Sequence, residues 1–189
     1  MRNHGSQRLI FLTGLSGSGK SAVAFRLAQA LHCRLVDVDN EIEKRTGTSI
    51  RNLFATDGER RFREIETEVI TDLIQKENTN ASQRTIIALG GGALMSEQNV
   101  ATVRKSGTLV YLSVTCQVAA DRLHNHCDRP LTLDGNGEPL SKEKLTARLE
   151  TLLHLRESDY TQADFTIDTT SLSVEQVCQD IMKQLSDSV

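Results

Sequence analysis

The sequence predicts an α/β fold of three layers, in which helices cover both faces of a mostly parallel five-stranded sheet. Short apolar runs alternate along the chain with longer stretches whose apolar residues recur at helical spacing. Such alternation indicates crossover connections, which join parallel strands. The length of 189 residues, with 38% hydrophobic residues, suits one compact domain spanning 1–189. Ligands of such folds bind at the carboxyl ends of the strands, so the segment after each strand is the first place to look for chemistry.

Five strands and four helices can be given bounds. The strands are predicted at 8–13, 34–37, 85–89, 108–114 and 164–168. The helices are predicted at 21–32, 58–77, 141–160 and 174–185. The helix at 58–77 illustrates the signal, since Phe62, Ile65, Val69 and Leu73 form one apolar stripe. The segment 125–140 breaks the pattern with prolines and a D-G-N-G turn signal, and we expect it to be a mobile lid.

The composition narrows the classes of partner. A net charge of −3 and 4% aromatic residues give no basic surface or stacking platform for nucleic acid. The polar N-terminus resembles no signal peptide, and no apolar run has the length of a membrane span. The four cysteines are scattered without a C-x-x-C pair, which favours reduced thiols. We therefore expect a cytoplasmic protein, a monomer, that acts on small molecules without nucleic-acid or membrane partners.

A glycine-rich motif follows the first predicted strand. It reads G-x-x-x-x-G-K-S and consists of Gly14, Leu15, Ser16, Gly17, Ser18, Gly19, Lys20 and Ser21. Glycines let backbone N–H groups curl around phosphate oxygens, and the start of the next helix favours anions. In this motif Lys20 is expected to reach the β- and γ-phosphates, while the Ser21 hydroxyl is a ligand for Mg²⁺. The alternative is a glycine-rich turn that binds nothing, but the strand before and the helix after favour a nucleotide site.

The second predicted strand ends in Asp37-Val38-Asp39. Residues i and i+2 of an extended chain point the same way, so both carboxylates are expected to project together near the phosphate loop. One carboxylate could help to hold Mg²⁺, and the other could accept the proton of an attacking hydroxyl. Spacing alone does not say which aspartate does which. The alternative is a helix N-cap, because a helical stretch follows.

Two arginines occupy positions beside apolar stripes. Arg63 lies three residues before Glu66, so the two are neighbours on a helix. Arg156 continues a leucine stripe where another leucine would be expected. A guanidinium near an apolar face needs a partner, and a bound carboxylate fits its fork in two parallel bonds. Internal salt bridges, including one between Arg63 and Glu66, are the alternative. The third strand runs into the glycines 90–92, which allow a ligand to approach closely or simply form a flexible turn.

Together these features resemble the shikimate kinases. The matching motifs are GLSGSGKS at 14–21, DVD at 37–39, FATDGERRFREIE at 54–66, GGG at 90–92, RP at 129–130 and the stretch 156–160. They occur in order over nearly the whole chain. The resemblance implies a P-loop kinase fold and transfer of a phosphoryl group from ATP, with Mg²⁺, to the 3-hydroxyl of shikimate.

The resemblance also implies roles for the acceptor side of the site. Asp39 is similar to the residue that holds the shikimate hydroxyls and serves as base. Asp37 is similar to the aspartate on the Mg²⁺ side. Arg63 and Arg156 are similar to the pair that clamps the acceptor carboxylate, with a backbone contact from Gly91.

Further roles implied by the resemblance concern the nucleotide and the lid. Glu66 is similar to the residue that orients Arg63. Arg129 is similar to the lid arginine that closes over the phosphates, and Arg122 occupies the family's position against the adenine. Lys20, Asp39 and Arg129 are then the expected catalytic residues.

Three other interpretations remain open at this stage. One is a related kinase acting on another hydroxy acid such as gluconate, because one fold supports many sites. Another is a nucleotide-binding regulator without catalysis, which the intact Lys20 and Ser21 disfavour. The last is a zinc site at His124, His126 and Cys127, which lacks an evident fourth ligand.

Overall fold

A sheet of five parallel strands forms the centre of the computed structural model, which describes residues 8–79, 83–124 and 130–187. The strands are β1 (Leu9–Thr13), β2 (Arg34–Asp37), β3 (Thr85–Ala88), β4 (Thr108–Ser113) and β5 (Phe165–Asp168). Their order in the sheet is β2-β3-β1-β4-β5, and all four neighbouring pairs run parallel. The sheet confirms the predicted number of strands and their orientation.

The described residues form eight α-helices. Their bounds are α1 (Lys20–Ala30), α2 (Val38–Thr46), α3 (Ile50–Thr56), α4 (Gly58–Thr79), α5 (Glu97–Ser106), α6 (Cys116–Leu123), α7 (Lys142–Tyr160) and α8 (Val174–Asp187). Single 3₁₀ turns occur at Ala93–Met95 and Pro130–Thr132. Four of these helices, α2, α3, α5 and α6, were not predicted with bounds, and each has at most ten residues.

Side chains of the central strand β1 alternate between the two faces of the sheet, as the pleat requires. Phe11 packs in one core with residues of α4 and α5, such as Phe62 and Val103. Ile10 packs in the opposite core with residues of α1 and α8, such as Leu27. Two separate apolar cores therefore lie on the two faces, which confirms the three-layer α/β arrangement.

The register of the sheet brings three strand ends to the same level. Leu12 of β1 pairs with Ala88 of β3, and Asp37 of β2 pairs with the same Ala88. The glycine-rich loop follows β1, α2 follows β2 and the three glycines follow β3. Because parallel strands end at one edge, these three segments meet there and form one concave region.

The described part of the predicted lid, 130–140, folds back on itself. Leu133 and Pro139 form an antiparallel bridge, and the Asp134 carboxylate accepts bonds from the backbone N–H groups of Asn136 and Glu138, at 2.8 and 3.0 Å. These bonds lower the pKa of the Asp134 carboxyl group. Arg148 of α7 donates to the carbonyl groups of Leu131 and Leu133. The turn signal at 134–137 is thus confirmed, while lid movement stays a prediction and 125–129 lie outside the described residues.

Within the described ranges, no helix is long and apolar enough to cross a membrane. Cys33, Cys116 and Cys178 are free thiols, and Cys127 lies outside the described residues. Burial raises the pKa of each of the three described thiols, which keeps them protonated near neutrality.

Candidate active site

Two positions of the loop after β1 require glycine, because their backbone torsion angles are unusual and because neighbouring atoms leave no space for a side chain. Gly14 and Gly17 have positive φ angles of 141° and 85°, a region that side-chain-bearing residues rarely adopt. A methyl group on Gly14 would lie 2.4 Å from the Leu112 carbonyl oxygen, and one on Gly17 would lie 2.7 Å from that of Ala119. The loop is therefore pressed against neighbouring backbone. Gly19, also at positive φ, leads into α1.

Lys20 is the first residue of α1, and its side chain turns back across the loop. Its Nζ donates to the carbonyl oxygens of Gly14 and Leu15, at 2.8 and 3.0 Å. The ammonium group is thus held at the mouth of the loop. The first turn of α1 has no acidic residue of its own, which favours an anion at this end of the helix.

A second set of bonds supports the same loop from the end of β5. Arg122 of α6 donates to the Gly17 carbonyl oxygen at 3.2 Å and to the Thr169 carbonyl oxygen at 2.7 Å. The Thr169 hydroxyl lies 3.0 Å from the Ser18 carbonyl oxygen, and Thr169 is only 2% exposed. Arg122 was predicted at the site from the family resemblance, whereas Thr169 was not, because no motif marks a threonine whose partner is distant in sequence.

The aspartate pair differs from its predicted geometry. The extended chain ends at Asp37, and Val38 already begins α2, so the expectation that both side chains project from one strand is wrong. Asp37 is the N-cap of α2, and its Oδ1 accepts a bond from the Asn40 N–H at 3.2 Å. Its Oδ2 lies 3.5 Å from the Ser21 hydroxyl. The two predicted metal ligands, Ser21 and Asp37, are therefore neighbours.

Asp39 lies in the first turn of α2 and faces the glycines after β3. A methyl group on Gly90 would lie 3.1 Å from Asp39 Oδ1 and 2.6 Å from Glu66 Oε1. Gly90 is thus enclosed by two carboxylates. Burial raises the pKa of Glu66, and the nearby Asp39 charge raises it further, while Arg63 opposes both effects.

Arg63 of α4 bonds to acidic residues of its own helix. It lies 2.7 Å from Glu66 and 3.2 Å from Glu59, and its guanidinium group is 5.0 Å from the centre of the Phe62 ring. The internal salt bridge considered above therefore exists. The same guanidinium also faces the site, since a methyl group on Gly92 would lie 2.5 Å from Arg63 Nη2.

Arg156 and Tyr160 of α7 both donate to the carbonyl oxygen of Gly91, the arginine at 3.2 Å. Arg156 Nε and Glu66 Oε1 are buried and have no hydrogen-bond partner among the described residues. Buried polar atoms are normally paired, so both atoms are candidates for hydrogen bonds to a polar ligand. The structure thus brings Asp39, Arg63 and Arg156 together around Gly90, Gly91 and Gly92.

Several predicted residues lie outside the described part of the chain. These are Arg129 of the lid and His126 and Cys127 of the zinc alternative. His124 caps the end of α6. Across 8–79, 83–124 and 130–187, no cluster of three or more His, Cys, Asp or Glu side chains is arranged to hold a metal ion.

Comparison with known proteins identifies the family. A protein-family sequence model described as shikimate kinase matches residues 16–186. Shikimate kinase of Chlorobaculum parvum is 37% identical over 185 residues, which is 98% of this chain and 94% of that protein. The corresponding protein of Chlorobium limicola is 40% identical over 169 residues, 89% of this chain and 80% of that protein.

Solved structures agree with these sequence matches. Shikimate kinase from Acinetobacter baumannii in complex with shikimate has a TM-score of 0.83 and 29% identity, covering 97% of this chain and 95% of that one. Shikimate kinase from Aquifex aeolicus has a TM-score of 0.73 and 30% identity, covering 95% and 96%. Sequence, fold and the arrangement of the strand-end segments all agree, and the chain belongs to the shikimate kinase family.

Proposed function

We propose that this chain transfers the γ-phosphoryl group of ATP to the 3-hydroxyl group of shikimate, giving ADP and shikimate 3-phosphate. The site has two halves: the phosphate loop at 14–21 is the nucleotide half, and Asp39, Arg63 and Arg156 form the acceptor half. The observation that carries the proposal is that the two halves meet at Gly91. A methyl group there would lie 3.4 Å from the Gly14 carbonyl oxygen, 3.7 Å from the Ser16 nitrogen and 3.7 Å from Arg156 Nη1. A phosphate on the loop and an acid beside Arg156 would thus be close neighbours.

The nucleotide half would hold ATP mainly through backbone. Amides of residues 14–21 would surround the phosphates, with Ser16, Ser18 and Gly19 among them, and Lys20 would neutralise the charge on the γ-phosphate. Lys20 would exchange one of its carbonyl partners for phosphate oxygen. Arg122 would contact the adenine with the face of its guanidinium group, and Arg129 would close over the phosphates.

Mg²⁺ fits this half of the site. The Ser21 hydroxyl and Asp37 Oδ2 present two oxygen ligands 3.5 Å apart, and Mg²⁺ prefers oxygen. Ser21 and Asp37 would hold the ion beside the phosphates, where it would neutralise charge on the phosphate oxygens. The other Asp37 oxygen caps α2, which fixes the carboxylate in place.

The acceptor half would hold shikimate through charged side chains. Arg63 and Arg156 would bind its carboxylate, and the free Arg156 Nε supplies a donor for that contact. Asp39 would bind the hydroxyl groups and accept the proton of the attacking hydroxyl. Glu66 would keep Arg63 in position through their 2.7 Å ion pair. Alignment of the hydroxyl with the γ-phosphate then supplies most of the catalysis.

A coupled assay of ADP release with and without shikimate tests this proposal, with gluconate as a second acceptor. We expect rapid ADP release that depends on shikimate and little release with gluconate or with ATP alone. Preference for gluconate would redirect the proposal to the alternative acceptor. ATP binding with no acceptor-dependent release would support a nucleotide-binding protein without catalysis.

A further inference from the structure

The three glycines at 90–92 have no side chains with which to fix their own backbone. Glycine populates more of φ/ψ space than any other residue, so hydrogen bonds must hold this segment in one conformation. The carbonyl oxygens of Gly90 and Gly92 accept bonds from the backbone N–H groups of Ala93 and Met95, both at 3.1 Å. In the described chain the Gly91 carbonyl oxygen accepts two such bonds, from Arg156 and from Tyr160, both on α7. Because the peptide unit is planar and trans, holding this carbonyl also fixes the direction of the Gly92 N–H.

The two donors differ in what else they must do. Arg156 is a charged residue with a buried, unbonded Nε in the candidate acceptor site. An acceptor carboxylate would compete with the Gly91 carbonyl for its N–H groups, because charged acceptors bind guanidinium more strongly than neutral ones. Tyr160 is a neutral donor with a single hydroxyl. Its bond to Gly91 therefore need not change when the acceptor binds.

Packing holds Tyr160 in place. The residue is 1% exposed, and its ring stacks on that of Tyr111 with 5.0 Å between the ring centres and 24° between their planes. Burial raises the pKa of Tyr160, so its hydroxyl stays protonated as a donor. A rigid ring carrying a protonated hydroxyl makes a fixed anchor for a glycine carbonyl.

We propose that Tyr160 is a positioning residue for this reaction: its hydroxyl holds the Gly91 carbonyl and so sets the acceptor site against the phosphate loop. The inference rests on the proposed function, since it assigns Gly91 to the junction of nucleotide and acceptor. It adds a residue that touches neither substrate. Its effect passes through the backbone of Gly91.

Tyr160→Phe tests the proposal, because it keeps the ring stack and removes only the hydroxyl. Loss of one hydrogen bond predicts a rise of about threefold to tenfold in the KM for shikimate, with the KM for ATP unchanged. Tyr111→Phe is the matched control, since it removes a hydroxyl from the same stacked pair and leaves both bonds to Gly91. We expect it to leave the KM for shikimate unchanged.

The outcomes separate this inference from the proposed function. If wild type is active and Tyr160→Phe leaves the KM for shikimate unchanged, the inference alone is overturned. An equal rise of this KM in Tyr160→Phe and Tyr111→Phe would also overturn it. A merely structural Tyr160 would lower the melting temperature and leave the shikimate KM as it is. If wild type releases no ADP in response to shikimate, the proposed function fails and the inference with it. Should Tyr160→Phe be unstable, the assay is run at lower temperature with ATP saturating, because a ligand of the folded state stabilises it.

Discussion

The nucleotide half of the site is formed mainly by backbone groups, and the acceptor half is formed mainly by acidic and basic side chains. The phosphate loop is shaped by glycine torsions and by bonds to its carbonyl groups, from Lys20, Arg122 and Thr169. The acceptor half consists of acidic and basic side chains, Asp39, Arg63, Glu66 and Arg156, packed around three glycines.

This difference suits the two ligands. A triphosphate offers many equivalent oxygens, which a ring of backbone N–H groups can bind without side-chain specificity. A small hydroxy acid has one carboxylate that must be held in a fixed direction, which the planar guanidinium fork achieves. Substitutions in the first half should therefore affect ATP or turnover, and those in the second should affect the acceptor.

The largest effect is expected from Lys20→Ala. Lys20 is the cation proposed to neutralise charge in the transition state, so its loss should lower kcat by about 10²–10³. Lys44→Ala, which removes an exposed lysine paired with Glu41 on α2, is the control and should leave kcat unchanged. If Lys20→Ala retained kcat within about twofold of wild type, Lys20 would have no such role.

Arg63→Ala should act on the other half. Arg63 is a proposed donor to the acceptor carboxylate, so its removal should raise the KM for shikimate roughly tenfold to a hundredfold and largely spare the KM for ATP. Arg61→Ala is a matched control two residues away on α4, where Arg61 pairs with Glu64 at the surface. Steady-state kinetics with each substrate varied in turn would measure both KM values. An unchanged shikimate KM would remove Arg63 from the clamp.

Thr169→Val tests whether the end of β5 supports the phosphate loop. The change keeps the side-chain shape and removes the hydroxyl beside the Ser18 carbonyl, so the KM for ATP should rise by about threefold to tenfold. The KM for shikimate should not change. Thr166→Val, at an exposed position of β5, provides the comparison. Equal effects on both substrates would contradict the division into two halves.

The smallest expected effect is on the pH dependence of stability, through Glu66 in the acceptor half. Burial raises the pKa of Glu66 above its unfolded value, so the folded chain retains this proton where the unfolded chain has lost it. The stability that results is fully present below the unfolded pKa and is lost as pH rises through the folded pKa. Unfolding titrations at several pH values should show wild type losing stability relative to Glu66→Gln as pH rises.

Glu64 provides a control of opposite sign for this titration. Bonds from Arg61 and Arg60 lower the pKa of this exposed carboxyl group, so its contribution is present above the unfolded pKa and lost as pH falls. Glu64→Gln should therefore alter stability only weakly, and in the opposite pH direction. Wild type gaining stability relative to Glu66→Gln as pH rises would instead show that Arg63 outweighs burial at Glu66.

The sequence predicted the sheet well because its signals are local. A buried strand such as β1 is a continuous apolar run, and the glycine-rich motif follows it directly. The short helices were missed because stretches of at most ten residues contain too few apolar repeats for a clear helical period. Their N-caps were the available signal, since Ser49 and Ser96 each accept a bond from a backbone N–H three residues on.

The candidate site was predictable only where a motif carried it. The roles of Thr169 and Tyr160 depend on which strand and helix ends meet, and Thr169 is 151 residues from its partner Ser18. No spacing rule in the sequence predicts such a contact. The predicted geometry of Asp37 and Asp39 was wrong for a related reason. Helix α2 begins between them, and a one-residue difference in where a strand ends redirects a side chain.

A crystal structure with ADP, Mg²⁺ and shikimate bound would test the central claim most directly. The account predicts the β-phosphate on the backbone of residues 14–21 and the shikimate carboxylate on Arg63 and Arg156, with a hydroxyl group beside Asp39. Shikimate bound away from these three side chains, with the nucleotide still on the loop, would contradict it.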